Sequence, residues 1–127
     1  MKIAAIDIGS NSIKLVVAER TAGDNFSILR QEKDVVRLGH NTLRDRHLAP
    51  AAIERAARAI KKFCDIAESY KADHTVAIAT ASVREADNAT EFVAEVWQQT
   101  NLRVEILSGI EEARLIGLAV GVGCASL

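Results

Sequence analysis

Two apolar stretches flank a short polar loop at the start of the chain, and this pattern limits the fold most. The first stretch, Ile3–Ile8, is rich in β-branched residues and is interrupted only by Asp7. Such a run predicts a strand that is buried on both faces of a sheet. Apolar residues resume at Ile13 and continue to Ala18, after the four-residue link Gly9–Ser12. Because so short a link joins two strands only as a hairpin, they should pair antiparallel.

The loop of this hairpin combines groups that suit a phosphate chain. Backbone N–H groups and the hydroxyls of Ser10 and Ser12 can donate to phosphate oxygens, and Gly9 and Asn11 tolerate the backbone conformations of a tight loop. Asp7 beside them could hold a divalent cation. The alternative is an ordinary polar hairpin loop beside a buried, hydrogen-bonded aspartate. The loop alone does not decide between them.

Composition limits the classes of function. The 127 residues fit one domain, and 16 Lys and Arg against 17 Asp and Glu give no basic bias. We therefore expect neither a nucleic-acid partner nor a membrane surface, and any anion site must be local. Cys64 and Cys124 are too few for a disulfide framework, so reduced thiols and a cytoplasmic location are expected. We expect no signal peptide and no membrane span.

The rest of the chain alternates between strand and helix patterns. Mixed polarity in the third strand predicts that it lies at an edge of the sheet. Tyr70 and Trp97 fall on the apolar faces of predicted helices, and we expect both in the core. Asn88 is the predicted N-cap of a helix, with Glu91 completing a capping box. The predicted elements are strands at 3–8, 13–18, 26–36, 75–79 and 102–107, and helices from Pro50, Asn88 and Ser108. The strand at 75–79 should lie parallel to the first strand and next to it.

Two further polar stretches follow buried strands. Thr80–Arg84 lies beyond the strand at 75–79, where open α/β sheets place their ligands. Arg84 could present its planar guanidinium to phosphate oxygens, or it could pair with Glu85 or Asp87 at the surface. Glu111 and Glu112 begin the last predicted helix. They either complement the helix dipole or hold a carboxylate where it could orient or deprotonate a water molecule.

This order predicts an α/β fold of ribonuclease-H-like layout, a five-stranded mixed sheet with covering helices. Three stretches then resemble the exopolyphosphatase / guanosine pentaphosphate phosphohydrolase family, in that family's order and spacing. They are Ala4–Ser12 (AAIDIGSNS), Ala79–Ala86 (ATASVREA) with Asn88–Phe92, and Ile106–Ile116 (ILSGIEEARLI). Arg37-Leu38, followed by a glycine-containing loop, also matches.

The resemblance implies an actin-like domain of an enzyme that removes terminal phosphate from polyphosphate or guanosine pentaphosphate with Mg²⁺. The loop Gly9, Ser10, Asn11 and Ser12 would bind substrate phosphate, and Asp7 would hold the metal, directly or through water. Arg84 would grip the phosphate. Glu112 matches the catalytic glutamate, with Glu111 as its neighbour.

One departure from the family pattern is large, because the second half-domain and its Asp-Ile-Gly-Gly-Gly-Ser loop are missing from this sequence. Residues 1–127 are therefore interpreted as the N-terminal domain of a larger phosphatase. The absent half is the expected partner, and residues 1–127 alone are expected to be inactive. The unfilled face would favour a homodimer. Two alternatives are a binding module that senses polyphosphate or guanosine tetra- and pentaphosphate, and a sugar- or acetate-kinase-type relative, against which the Glu-Glu-Ala-Arg motif argues.

Overall fold

The apolar stretches of the sequence form one mixed sheet with helices packed against it. A computed structural model describes residues 1–21, 23, 25–39, 46–108 and 110. The five strands lie in the order β3-β2-β1-β4-β5. The strands are β1 (Lys2–Ile8), β2 (Ser12–Arg20), β3 (Phe26–Val35), β4 (His74–Ala79) and β5 (Val104–Ile106). The helices are α1 (Pro50–Ser69), α2 (Ala81–Arg84) and α3 (Ala89–Thr100).

Strand pairing follows the predicted topology. β1 pairs antiparallel with β2 and parallel with β4, while β3 lies at one edge and β5 at the other. The predicted hairpin, the edge position of β3 and the parallel neighbour of β1 are all confirmed. This is the predicted ribonuclease-H-like order. The helix predicted from Ser108 falls almost entirely outside the described residues.

One face of the sheet is covered by α1 and α3, which also pack against each other. Alternate residues of β1 and β2 point to this face, because Ala4, Ile6 and Ile8 pair across the hairpin with Val17, Leu15 and Ile13. These side chains are buried together with Phe63, Phe92 and most of the alanines of α1. Burial of this face therefore supplies the core of the domain. Within the described part of the chain, no helix is both long enough and apolar enough to cross a membrane.

The opposite face of the sheet differs from the prediction. β1 is not buried on both faces, because Ile3 and Ala5 are half-buried and Asp7 is exposed. On the neighbouring strand β4, Val76 is 43 % exposed. The reason is that α1 and α3 lie on the same side, so no described helix covers this second face. We call the surface formed by Ile3, Ala5, Val16, Val76 and Ile78 the open face.

Two side chains of α3 depart from their predicted roles. Trp97 was expected in the core but is 52 % exposed, since Phe92 and Val96 point inward and Trp97 lies on the outer side of the helix. Asn88 stands at the N-cap position but makes no cap hydrogen bond. Its amide instead bonds to both backbone groups of Leu48. Tyr70, by contrast, is partly buried against the core as expected.

Candidate functional site

The Gly9–Ser12 loop joins the carboxyl end of β1 to β2 as a closed turn. The Gly9 N–H donates to the Ser12 carbonyl at 3.0 Å. A side chain at Gly9 would place its Cβ 3.1 Å from that carbonyl oxygen, which is tighter than an ordinary contact. Ser10 and Asn11 are exposed at the tip of the turn. The loop therefore presents a hydroxyl and an amide to solvent from a fixed backbone.

A second segment, residues 37–39, holds this loop from the side of β3. The Arg37 N–H donates to the Asn11 carbonyl at 2.9 Å, and the Gly39 N–H donates to the Ser10 carbonyl at 2.7 Å. Arg37 adopts a positive φ of 52°, which turns the chain toward the loop. Arg37-Leu38 and the following glycine-containing loop entered the prediction only through the family resemblance. The sequence did not predict that the backbone N–H groups of Arg37 and Gly39 donate to the Gly9–Ser12 loop.

The third segment is α2, which follows β4 directly. Ser82 on this helix is 7 % exposed, and its hydroxyl donates a hydrogen bond to the hydroxyl oxygen of Ser10. β1 and β4 are parallel neighbours, so their carboxyl ends lie at the same edge of the sheet. The structure thus brings together Gly9–Ser12 and Thr80–Arg84, two stretches that the sequence analysis singled out separately.

Arg84 lies at the end of α2 with its guanidinium turned toward the end of β5. One terminal nitrogen donates to the Leu107 carbonyl at 3.1 Å, and Nε lies 3.6 Å from a carboxylate oxygen of Glu85. The side chain is 27 % exposed. The surface pair with Glu85 is present, but such exposed pairs contribute little to stability. The Leu107 contact anchors Arg84 at the polar edge, with its side chain partly exposed.

Asp7 is the metal-binding candidate, and its surroundings limit how it could act. Its carboxylate is exposed, so the burial that the ordinary-loop alternative assumed for Asp7 is not observed. In strand register it stands between Lys14 of β2 and Ile78 of β4. Among the described residues, no cluster of three or more His, Cys, Asp or Glu side chains could enclose a metal. One carboxylate fits Mg²⁺ when substrate phosphates and water fill the other positions.

Glu111 and Glu112 lie outside the described residues. Among the described residues, Leu107 lies at the same polar edge, since its N–H donates to the Ala79 carbonyl at 3.0 Å. Ser82 and Gly39 lie in stretches that the sequence marks, but neither residue was predicted to contact the Gly9–Ser12 loop. Ser82 belongs to a stretch recognised for its hydroxyls, but nothing in the sequence pairs it with Ser10.

The comparisons with known proteins agree with this fold. The family model described as the Ppx/GppA phosphatase family matches residues 16–126. The crystal structure of the Aquifex aeolicus Ppx/GppA family member superposes with a TM-score of 0.88 at 32 % identity, over 94 % of this chain. An exopolyphosphatase from Cytophaga hutchinsonii gives a TM-score of 0.86 at 29 % identity over 91 % of this chain. This chain spans only 39 % and 36 % of those two proteins.

Proposed function

Because this chain belongs to the Ppx/GppA phosphatase family, we propose that it forms one wall of the active site of a phosphoanhydride hydrolase. The substrate would be inorganic polyphosphate or guanosine pentaphosphate, and the product would be its terminal phosphate. The observation that carries this proposal is the meeting of the Gly9–Ser12 loop and α2 at one sheet edge. Residues 1–127 would be the N-terminal domain of a longer protein, since the chain spans 39 % of the Aquifex aeolicus family member.

Substrate binding would use the donors of this edge. The exposed Ser10 hydroxyl and Asn11 amide can donate to phosphate oxygens, and Ser12 adds a second hydroxyl next to them. Arg84, already fixed by the Leu107 carbonyl, would offset the negative charge of the transferred phosphoryl group. These groups stand on a tight hairpin loop and a short helix rather than on a long loop, so little ordering is required when substrate binds.

The chemical step would be attack by water on the terminal phosphorus. The water oxygen forms a new P–O bond while the bridging P–O bond breaks, so that the leaving chain is shorter by one phosphate. Glu112 would accept the proton of the attacking water, in accordance with its place in the Glu-Glu-Ala-Arg motif. Mg²⁺, when bound with the substrate, would neutralise phosphate charge, and Asp7 would hold it directly or through water.

This chain would supply only half of the cleft. The described edge is open to solvent at Ser10 and Asn11, and a one-sided site neither excludes water nor fixes a metal. The absent second half-domain would complete the phosphate cradle and the metal ligands. We also propose a cytoplasmic location, since Cys64 is a free thiol.

The experiment that tests the catalytic assignment compares two adjacent carboxylates. Phosphate release with Mg²⁺ would be measured for Glu112→Gln and for the matched control Glu111→Gln, in the full-length protein that contains this chain. Loss of a general base should lower kcat by about 10²–10⁴-fold, so Glu112→Gln should be nearly inactive and Glu111→Gln should keep most activity. Assays with each substrate in turn would identify the preferred one.

A non-catalytic sensor gives the opposite pattern. The full-length protein would then bind polyphosphate or guanosine pentaphosphate without releasing phosphate, and Glu112→Gln would change nothing. That result would reject the hydrolase and leave a binding module of the same fold.

A further inference from the structure

A serine pair connects the two polar segments of the candidate site. Ser10 and Ser82 are 72 residues apart in sequence, and the hydroxyl of Ser82 donates to the hydroxyl oxygen of Ser10. Ser82 is nearly buried, whereas Ser10 is exposed at the loop tip. A nearly buried hydroxyl needs a hydrogen-bond partner, and here the partner is a residue that would touch substrate. Ser82 is therefore placed to act on substrate through Ser10.

Gly39 completes this arrangement from the other side. Its N–H donates to the Ser10 carbonyl at 2.7 Å. A Cβ added at Gly39 would lie 2.9 Å from the Ser10 Cβ and would also collide with the Ser82 hydroxyl oxygen. Real Cβ atoms essentially never come this close to another non-bonded heavy atom, so a larger residue would force both serines to shift. Ser10 is thus held through its main chain by Gly39 and through its side chain by Ser82.

We propose that Ser82 is a positioning residue for the phosphatase, which orients the Ser10 hydroxyl toward substrate, and that Gly39 leaves the space for this contact. When Ser82 donates, the Ser10 oxygen acts as acceptor and keeps its own hydrogen for a phosphate oxygen. Each bond in such a chain strengthens the next. The same contact fixes the distance between the loop and Arg84, which stands two residues after Ser82 on α2. The inference rests on the proposed function.

The serine contact is tested without any activity assay. In the full-length protein, the double variant Ser10→Cys/Ser82→Cys should be linked by mild oxidation or by a short bis-maleimide, because the ends of the two side chains are in contact. Peptide mass spectrometry would identify the bond between positions 10 and 82. If the double variant is folded, with an unchanged circular dichroism spectrum, but is linked neither by oxidation nor by the bis-maleimide, the arrangement is contradicted.

The positioning role is tested by steady-state kinetics on the same full-length protein. Ser82→Ala should raise KM by roughly five-fold, the loss expected from one hydrogen bond, with a smaller change in kcat. Ser69→Ala is the matched control, because its hydroxyl donates to the Ile66 carbonyl at the far end of α1 and it should leave KM unchanged. If Ser82→Ala lowers the melting temperature but leaves KM unchanged well below melting, Ser82 is only structural and the proposal is overturned.

Gly39 provides a rescue experiment. Gly39→Ala should raise KM more than Ser82→Ala does, since its Cβ collides with both serines. Adding Ser82→Ala to Gly39→Ala removes one of the two collisions and should recover part of the loss. Purely additive losses would contradict a shared contact. If the wild-type protein releases no phosphate, the proposed function fails, and the cross-link then still decides whether the serine contact exists.

Discussion

The two faces of the sheet differ in how deeply their side chains are buried. On the face covered by α1 and α3, side chains of β1 and β2 such as Ile6, Leu15 and Val17 are at most 1 % exposed. On the open face, the neighbouring residues Ala5 and Val16 are only half-buried and Asp7 is exposed. The same strands thus form a closed core on one side and an accessible surface on the other. The candidate site lies beyond the strand ends, where the exposed Ser10 follows two residues after the buried Ile8.

The largest loss of stability should come from removing a large side chain from the covered face of the sheet. Phe63 of α1 is 1 % exposed and is one of the largest side chains in the core. Phe63→Ala should lower the free energy of unfolding by about 3–5 kcal/mol, because it removes buried apolar area and leaves a cavity. Urea denaturation followed by circular dichroism would measure this. A loss below about 1 kcal/mol would mean that the two faces differ less than the structure indicates.

The buried amide of Asn88 gives the next largest effect. It accepts a hydrogen bond from the Leu48 N–H at 2.8 Å and donates to the Leu48 carbonyl at 2.9 Å, while the residue is 6 % exposed. Asn88→Ala should cost about 1–3 kcal/mol of unfolding free energy, since both backbone groups of Leu48 lose their partner. Gln98→Ala, on the exposed side of the same helix, is the control and should have little effect.

Two adjacent valines of β2 test directly whether the two faces of the sheet differ in burial. Val17 points to the covered face and is fully buried, whereas Val16 points to the open face and is half-buried. Val17→Ala should cost about 2 kcal/mol, because each buried methyl group contributes roughly 0.8 kcal/mol and a cavity remains. Val16→Ala should cost less by about 1 kcal/mol, on the same scale. Equal losses in thermal or urea unfolding would contradict the assignment of faces.

Thiol chemistry gives the smallest effect. Burial raises the pKa of the half-buried Cys64 thiol, and the carboxylate of Asp65 adds to that shift, so less of it is the reactive thiolate near neutral pH. A cysteine introduced on the open face by Val76→Cys should react at least about three-fold faster with a thiol-specific reagent. Peptide mapping after timed labelling would give both rates. A faster reaction at Cys64 would indicate that α1 does not cover the sheet stably.

The sequence predicts local structure well where the pattern is continuous. The Ile3–Val17 stretch gives the hairpin, and the helical spacing of Ile53, Ile60 and Ala67 gives the buried side of α1. Sequence-based prediction fails where the burial of a side chain depends on how distant elements pack together. Trp97 fits a helical apolar pattern, but only the position of α3 relative to α1 and β5 leaves it on the outside.

The candidate site divides in the same way. The Gly9–Ser12 loop and Arg84 can be recognised from the sequence, because their residue types suit phosphate binding and each follows a predicted strand. Their position at one edge of the sheet then follows from the parallel pairing of β1 and β4. The contacts between Ser10, Ser82 and Gly39 join three distant parts of the chain. Each serine and glycine is ordinary in its local sequence, and no periodic pattern links them. Such contacts are found only from coordinates.

The most direct test of the central claim measures phosphate release from polyphosphate and from guanosine pentaphosphate with Mg²⁺. Residues 1–127 and the full-length protein that contains them would be assayed side by side. If the chain forms one wall of a two-walled site, the full-length protein turns over substrate and residues 1–127 alone release phosphate at or near background. Robust Mg²⁺-dependent turnover by residues 1–127 alone would contradict the account.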